Sequence, residues 1–504
     1  MTDKKYDQLS EQEFDLYLEE IMDSPPPEEL SDEFTPWRRA MYRILWGTGM
    51  TTLTLNFLNL DTILPAIGIL MMVLGYRTLR NENKWFKAAY IITILRVQWF
   101  CISVFFNSTI LKESAIISDI LMFGNYLWQI PLFISLLALR NGIRSVQKKA
   151  GLPPRGGTGL LIWYVAIFLL ALVSFQGLMI WILLIGYICI LRGLFNLSKE
   201  LDEAGYAISP SPVQVSDNAA KFIYTGAVAL ALVIGYSCFS KYPMEWSPVQ
   251  DTSSIEVHAV RQQLIDLGFP EHILDDLTDE DVLSCKDAIR VVVNVQDHPV
   301  NEGRYVTEQR PDGLYSYTVY DQKELRITGI ALELPGDRES WKIIHHFQWV
   351  IDPGFRGTEA LHLWPAYRKH DGWVSGGGFT GQVLYTKDGE IYVSPYHSLG
   401  QETYTYDSIF WGSQTSTDVF AEFSLPNRGE NHRGYVSYTI AESQDGWGID
   451  AWINYTHQTP WPQYPVISAK EKNQISGVSD TRTFRTVQDA LQFFPGDENP
   501  RPYD

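Results

Sequence analysis

The sequence predicts a membrane α-helical bundle of about seven spans, followed by an extracytoplasmic α+β tail dominated by an antiparallel β-sandwich or jelly roll. Three observations predict it. The long apolar runs fall almost entirely within residues 37–240 of a 504-residue chain. Charge divides along the same lines: residues 1–36 carry 12 acids and 2 bases, residues 37–240 carry 8 acids and 17 bases, and residues 241–504 carry 39 acids and 21 bases. From about residue 314 the apolar pattern shortens from a helical period to strand-like alternation. A single soluble globule is excluded by the first observation. A nucleic-acid binder driven by overall charge is excluded by the formal net charge of −19.

The first element is an acidic cytoplasmic arm, residues 1–36. Ser10 and Glu13 have capping-box spacing. Phe14, Tyr17, Leu18 and Ile21 then fall at i, i+3, i+4 and i+7, one apolar stripe of a helix that Pro25-Pro26-Pro27 ends. The stripe needs a cover, either the protein's own basic loops or a cytosolic protein partner. An anionic lipid surface repels the acids on its other faces.

The bundle, residues 37–240, follows. A span needs roughly 20 apolar residues to cross about 30 Å of hydrocarbon. Seven candidates meet or approach this: 44–60, 62–76, 88–106, 115–139, 158–175, 177–195 and 219–239. The first two are short and joined tightly through Leu58-Asn59-Leu60-Asp61, as a hairpin that crosses fully or dips and returns. Fifteen basic residues flank one set of ends, from Arg38, Arg39 and Arg43 to Lys221, while the opposite short loops hold only Lys112. By the positive-inside rule the N-terminus is cytoplasmic, and an odd number of crossings puts the tail outside a plasma membrane. Gly177, Gly186, Gly226 and Gly235 are expected to permit close helix approach.

Arg96 lies near the middle of the third span, where an unpaired charge costs about 2.5–3.5 kcal/mol or more. Gln129 and Asn125 on the next span match its depth, and Asp119 lies nearer the outer surface. The set reads either as an intramembrane polar site for a small solute or as a structural Arg bonded to Gln129. The near absence of other mid-depth acids argues against transport as the main activity.

The tail begins with a linker, 241–254, and a small helical segment, 255–295. Val257, Val260 and Leu264 form a stripe, Gly268-Phe269-Pro270 breaks it, and Thr278 with Asp281 caps the last helix. The run LIDLGFPEHILDDLTDEDV superficially resembles a ubiquitin-associated three-helix module over about 30 residues. Outside a bacterial cell there is no ubiquitin, so a helical collar between the last span and the β domain is expected.

The β domain covers 305–485, with runs such as LRITGIALEL, WKIIHHFQWVI and GYVSYTIAE. Asp388-Gly389 and Asp445-Gly446 are hairpin signals between neighbouring runs. A terminal helix, TVQDALQFF, and a short tail are expected over 486–504. Trp341, Trp349, Trp364, Trp373, Trp411, Trp447, Trp452 and Trp461 either fill the core or present rings that stack on sugars.

Catalytic groupings are not found. His345 and His346 are adjacent on a strand and point to opposite faces. His362, His370 and His397 have no metal-ligand spacing, and Ser375 sits in no nucleophile elbow or phosphate loop. Asp352 and Glu359 are nominal carboxylate candidates only. Cys101, Cys189 and Cys238 lie in apolar runs and Cys285 in the tail, without CxxC. No metal, cofactor, disulfide framework or nucleic-acid partner is expected.

The stretches TPWRRAMYRILWG, LNFLNL, LPAIG and RNENKWFKAAY, with GFPEHILDDLTDEDVLSC in the tail, resemble a group of uncharacterised multi-pass membrane proteins of anaerobic Gram-positive bacteria. The resemblance implies a bacterial plasma membrane and no activity. The functional expectation is a sensor or interaction protein that contacts the bilayer, an envelope ligand and a cytosolic protein. The alternatives are a cell-wall glycan binder and a small-solute transporter or channel built on Arg96.

Overall fold

The computed structural model describes residues 36–52, 59–172, 179–208, 210–249, 254–365, 372–408, 412–476, 480–497 and 500–502. The acidic arm, with Phe14, Tyr17, Leu18 and Ile21, lies outside the described residues. The chain divides into two compact units, 1–106 with 112–233, and 107–111 with 234–504.

The first unit is helical. Its helices are α1 (Pro36–Thr52), α2 (Leu60–Leu79), α3 (Lys84–Asn107), α4 (Ala115–Leu127), α5 (Gln129–Lys149), α6 (Thr158–Leu172), α7 (Met179–Glu203) and the larger part of α8 (Asp217–Phe239). Among the described residues four helical stretches are long and apolar enough to cross a membrane, α2, α3, the near-continuous α4–α5 and α8. This corrects the expectation of seven spans. α1 has 17 residues and carries Arg38, Arg39 and Arg43. Among the described residues the fifth and sixth expected spans are represented by shorter apolar pieces, Thr158–Leu169 and Leu183–Leu197, with 173–178 between them outside the described residues.

Of the four glycines expected at close helix approaches, Gly235 is buried, Gly177 lies outside the described residues, and Gly226 and Gly186 differ from expectation. A Cβ added at Gly226 meets open space, and one at Gly186 meets only Trp163 at 4.0 Å. The tight contacts are between α1 and α2. A Cβ on Gly47 would stand 2.5 Å from the Gly68 carbonyl oxygen, and one on Gly68 would stand 2.7 Å from the Gly47 carbonyl oxygen. Asn59, at φ 56°, is the left-handed residue that starts α2.

At the basic end, Asp217 at the start of α8 accepts from Arg43 at 2.8 Å and from Arg77 at 2.6 Å. The N-terminus of α8 therefore lies level with the basic flanks of α1 and α2. At about 1.5 Å per residue the 23 residues of α8 rise about 34 Å to Phe239.

The second unit is a three-layer structure. An eight-stranded sheet has the order β1-β10-β9-β13-β6-β5-β2, where β1 is Ser247–Pro248, with β8 (Trp373–Ser375) also pairing β13, and a five-stranded sheet has the order β11-β12-β7-β14-β15. Strand bounds used below are β2 (Arg290–His298), β3 (Arg304–Arg310), β4 (Gly313–Val319), β5 (Leu325–Leu334), β6 (Ser340–Trp349), β7 (Thr358–Pro365), β9 (Thr380–Lys387), β10 (Glu390–Pro395), β12 (Gly412–Ser424), β13 (Glu430–Glu442), β14 (Ile449–Gln458) and β15 (Phe484–Phe493), with β11 at Ser398–Ser408. Every strand pair is antiparallel. The two sheets bury a shared core of Ile327, Ile343, Phe347, Leu361, Val419, Ile453 and their neighbours.

Alternation along β6 explains the third layer. Trp341, Ile343 and Phe347 face the opposite sheet, whereas Ile344 joins a cluster with Val260 and Leu264 of α9 (Ile255–Asp266), Ile273 of α10 (Glu271–Leu274) and Leu277 just after it. These helices and α11 (Asp279–Leu283) cover the back of the large sheet. Ser254 and Thr278 cap α9 and α11 through the amides of Val257 and Asp281.

Two local readings are corrected. TVQDALQFF is strand β15, paired with β14 from Ile449↔Phe493 to Gln458↔Phe484. Val487, Leu491 and Phe493 are buried at strand period, and the i, i+4 pair Val487/Leu491 fits a helix equally well until β14 supplies a ladder. Asp388-Gly389, at φ 54° and 83°, turns the β9–β10 hairpin. Asp445-Gly446 instead lies between β13 and β14, which belong to different sheets.

Candidate functional site

The outer face of the five-stranded sheet carries an aromatic surface. Strand alternation sends Leu361 and Leu363 of β7 into the core and sets His362 and Trp364 on the other face. Opposite them on β14, Trp452 pairs with Trp364 and Asn454 with His362. The indole rings of Trp364 and Trp452 lie 19° from parallel with centroids 6.2 Å apart, and both side chains are half-buried. Trp364 stacks at 4.6 Å on His362, which stacks at 4.7 Å on Phe420 of β12. Tyr404 and Tyr406 of β11 extend the row, their rings 6.0 Å apart. The rest of this face is covered by helix α12 (Ala469–Ser476), whose Ala469 packs with Ala360 and Phe484. The open part is therefore limited to the half nearer the start of β14.

A buried carboxylate organises the polar part of this surface. Asp418 Oδ2 accepts from Tyr404 at 2.8 Å and from Ser416 at 2.7 Å, and stands 3.3 Å from His362 Nε2. Asn454 Nδ2 stands 3.4 Å from His362 Nδ1. The serine and the imidazole both address the carboxylate. A serine nucleophile needs its base between hydroxyl and carboxylate, so this cluster is a hub and not a relay. The buried carboxylate holds the Tyr404 and His362 rings in place. Asp418 and Tyr404 were not singled out from sequence. The only signal was the alternation of Ser416, Asp418 and Phe420, which acquires meaning once β7 and β11 are known to flank β12.

A second polar cluster is sealed beneath α10 and α11. Asp281 accepts from Lys342 at 2.7 Å, Thr380 at 2.7 Å, Ser437 at 3.0 Å and Tyr435 at 2.6 Å. Burial raises its pKa, but Lys342 and the hydroxyls outweigh burial and bring it down to about 2. Asp276 accepts from Arg433 Nε at 2.8 and 2.9 Å and lies 3.0 Å from His346. Lys342 Nζ is also 2.5 Å from Ser284 Oγ. A lysine that donates to a carboxylate cannot serve that serine as a base, so the contact is structural. Burial pushes the Cys285 thiol up to about 11.

The other residues read from sequence take separate places. His345 faces the core and His346 the helical layer, as strand alternation requires. Asp352 pairs with Arg356, and the buried Glu359 lies 2.8 Å from His457. Arg96 donates to Thr51 Oγ1 at 3.4 Å, while Gln129 Oε1 accepts from Tyr164 at 2.5 Å. Asp119 is exposed, and the side chain of Asn125 lies outside what is described. Of the tryptophans, Trp341, Trp349 and Trp373 are core residues, Trp447 and Trp461 are exposed, and Trp411 lies outside the described residues.

No family model, curated protein or solved structure matches the chain.

Proposed function

We propose that this is a plasma-membrane sensor or interaction protein that binds an envelope ligand through its β-rich domain, and that the ligand is a glycan. The observation that carries the reading is the Trp364–Trp452 pair, two near-parallel indoles on adjacent strands beside the Asp418 hub. Indole faces suit the apolar faces of sugar rings, and the buried Asp418 supports the reading by fixing the His362 and Tyr404 rings beside them.

The proposed sidedness has two supports. Arg43 and Arg77 pair with Asp217 at the start of α8, and α8 is long enough to cross, which supports an exit of residues after Phe239 opposite the basic flanks. The positive-inside rule then makes the basic side cytoplasmic.

The test uses the full chain in lipid nanodiscs, titrated calorimetrically with N-acetylglucosamine tetramer and with disaccharide–peptide wall fragments. Binding of either probe, lost in Trp364→Ala and Trp452→Ala but kept in Trp447→Ala, is expected. Absence of heat with both probes, or equal loss in all three variants, overturns the reading.

A further inference from the structure

One end of the β domain is set apart by what is attached to it. Leu325 pairs with Trp349 and with His298, so the end of β2, the start of β5 and the end of β6 lie together. In the other sheet Thr358 pairs with Ser424, and Gln458 with Phe484. Trp349 joins the two ends, with Nε1 2.9 Å from the Tyr455 hydroxyl and its ring 4.9 Å from that of His457.

The chain enters the domain at this same end. Tyr242 donates its amide to Ser424 Oγ at 3.0 Å, and Lys241 reaches Asn427 at 2.6 Å. Tyr242 is three residues past Phe239, the last residue of α8, a reach of at most about 10 Å. A second attachment lies beside the first. The amide of Val466 donates to the carbonyl of Asn107, the last residue of α3, at 2.8 Å, and Ile110 packs with Tyr242 and Val466. Two membrane-crossing helices therefore finish within a few residues of bonds to this end.

The same end exposes the side chains of a membrane interface. Trp461, five residues before Val466, is 51% exposed, with Arg482 5.3 Å over its ring. Val350 and Ile351, just past β6, are exposed. The β3–β4 hairpin leaves from β2 and returns to β5 here, and it exposes Tyr305, Leu314 and Tyr315 with Arg310 4.2 Å over the Tyr315 ring. An isolated two-stranded hairpin is only marginally stable in water and gains from a surface to lie on. Trp, Tyr and Arg beside short aliphatic groups are the residues that settle at the headgroup layer.

We infer that the linker-bearing end of the β domain seats in the headgroup layer of the membrane the chain crosses, through Trp461, Val350, Ile351 and the β3–β4 hairpin. The seat is made by aromatic and aliphatic groups. The domain's acidic excess gives it no net attraction to anionic lipid, so phosphatidylcholine suffices and high salt does not release it.

The full chain, with Cys101, Cys189 and Cys238 replaced by Ser and the buried Cys285 retained, is assembled in phosphatidylcholine nanodiscs. A polarity-sensitive fluorophore is placed by Ile351→Cys, by Leu314→Cys and, ten strand residues away, by Trp447→Cys. Blue-shifted emission and loss of intensity with doxyl-labelled phosphatidylcholine are expected at 351 and 314 and not at 447, at low and high salt alike. Water-like, unquenched emission at 351 and 314 overturns the inference. Blue-shifted emission that doxyl lipid does not quench also overturns it and assigns the surface to a protein. No glycan enters the experiment, so its outcome is independent of the proposed ligand.

Discussion

Lys342 and Asp281 lie 61 residues apart in sequence, and their Nζ and Oδ1 atoms meet 2.7 Å apart with both side chains nearly inaccessible to solvent. This contact fixes a five-residue helix to the back of a β-sheet. α11 has almost no intrinsic stability at that length, and Asp281 supplies it with five partners from three other elements and its own cap. Breaking the pair by Asp281→Leu leaves a buried ammonium and should cost about 3–5 kcal/mol, whereas Asp281→Leu with Lys342→Met should recover much of it. Thermal unfolding of the full chain in detergent, followed by tryptophan fluorescence, measures both.

The same carboxylate gives an acid limit. Its pKa is 3.8 when free and about 2 in the folded protein, so its stabilising contribution is complete above about 3.8 and disappears as pH falls through about 2. Asp281→Asn should be less stable than the natural protein at pH 5 and converge with it near pH 2. A gap that stays constant over this range contradicts the assignment.

His345 acts in the opposite sense at milder acidity. Burial lowers its pKa from 6.5 to about 4, and its Nε2 has no hydrogen-bond partner among the described residues. Protonation therefore favours the unfolded chain, and stability is lost as pH falls from about 6.5 toward 4. His345→Leu keeps an apolar group in the core next to Tyr438 and should flatten the slope of the melting temperature between pH 7 and 4. An unchanged slope would assign it to other groups.

In the helical unit, Gly47 and Gly68 face each other with no room for a Cβ on either. Gly68→Leu must push α1 from α2, and the full chain should lose several degrees of melting temperature in detergent. Gly226→Leu, where a side chain meets open space, should leave it unchanged. Equal effects would show that the α1–α2 approach is not set by these glycines.

Sidedness is open to direct labelling. Asp445→Cys, exposed between β13 and β14, should react on intact cells with a membrane-impermeant maleimide, and Arg155→Cys, exposed between α5 and α6, should react only after permeabilisation. The reverse pattern places the β domain in the cytoplasm and removes the envelope ligand with it.

How much of this was legible in the chain depends on the range of the interaction. Local chemistry read well: the apolar middle block, the alternation that separates His345 from His346, the Thr278 cap and the left-handed Asp388-Gly389 turn each need only neighbours in sequence. Readings that needed a distant strand failed. Whether Val487 and Leu491 share a helix face or a strand face was decided by β14, and whether Asp445-Gly446 turns a hairpin was decided by the sheet each flanking strand joins. The span count differs because α1 is only 17 residues long and bears three arginines, and because the described parts of α6 and α7 hold only shorter apolar pieces. The Asp418 hub could not be read at all, because His362, Tyr404 and Asp418 come from three strands whose order is not written in any one of them.

The bonds from Tyr242 to Ser424 and from Val466 to Asn107 join stretches that lie far apart in the chain, 182 residues in the first case. Each closes a long loop, and that closure costs chain entropy that only the finished β domain can offset. Residues 107–111 and 240–242 should therefore be fastened late in folding, after the strands that receive them have paired.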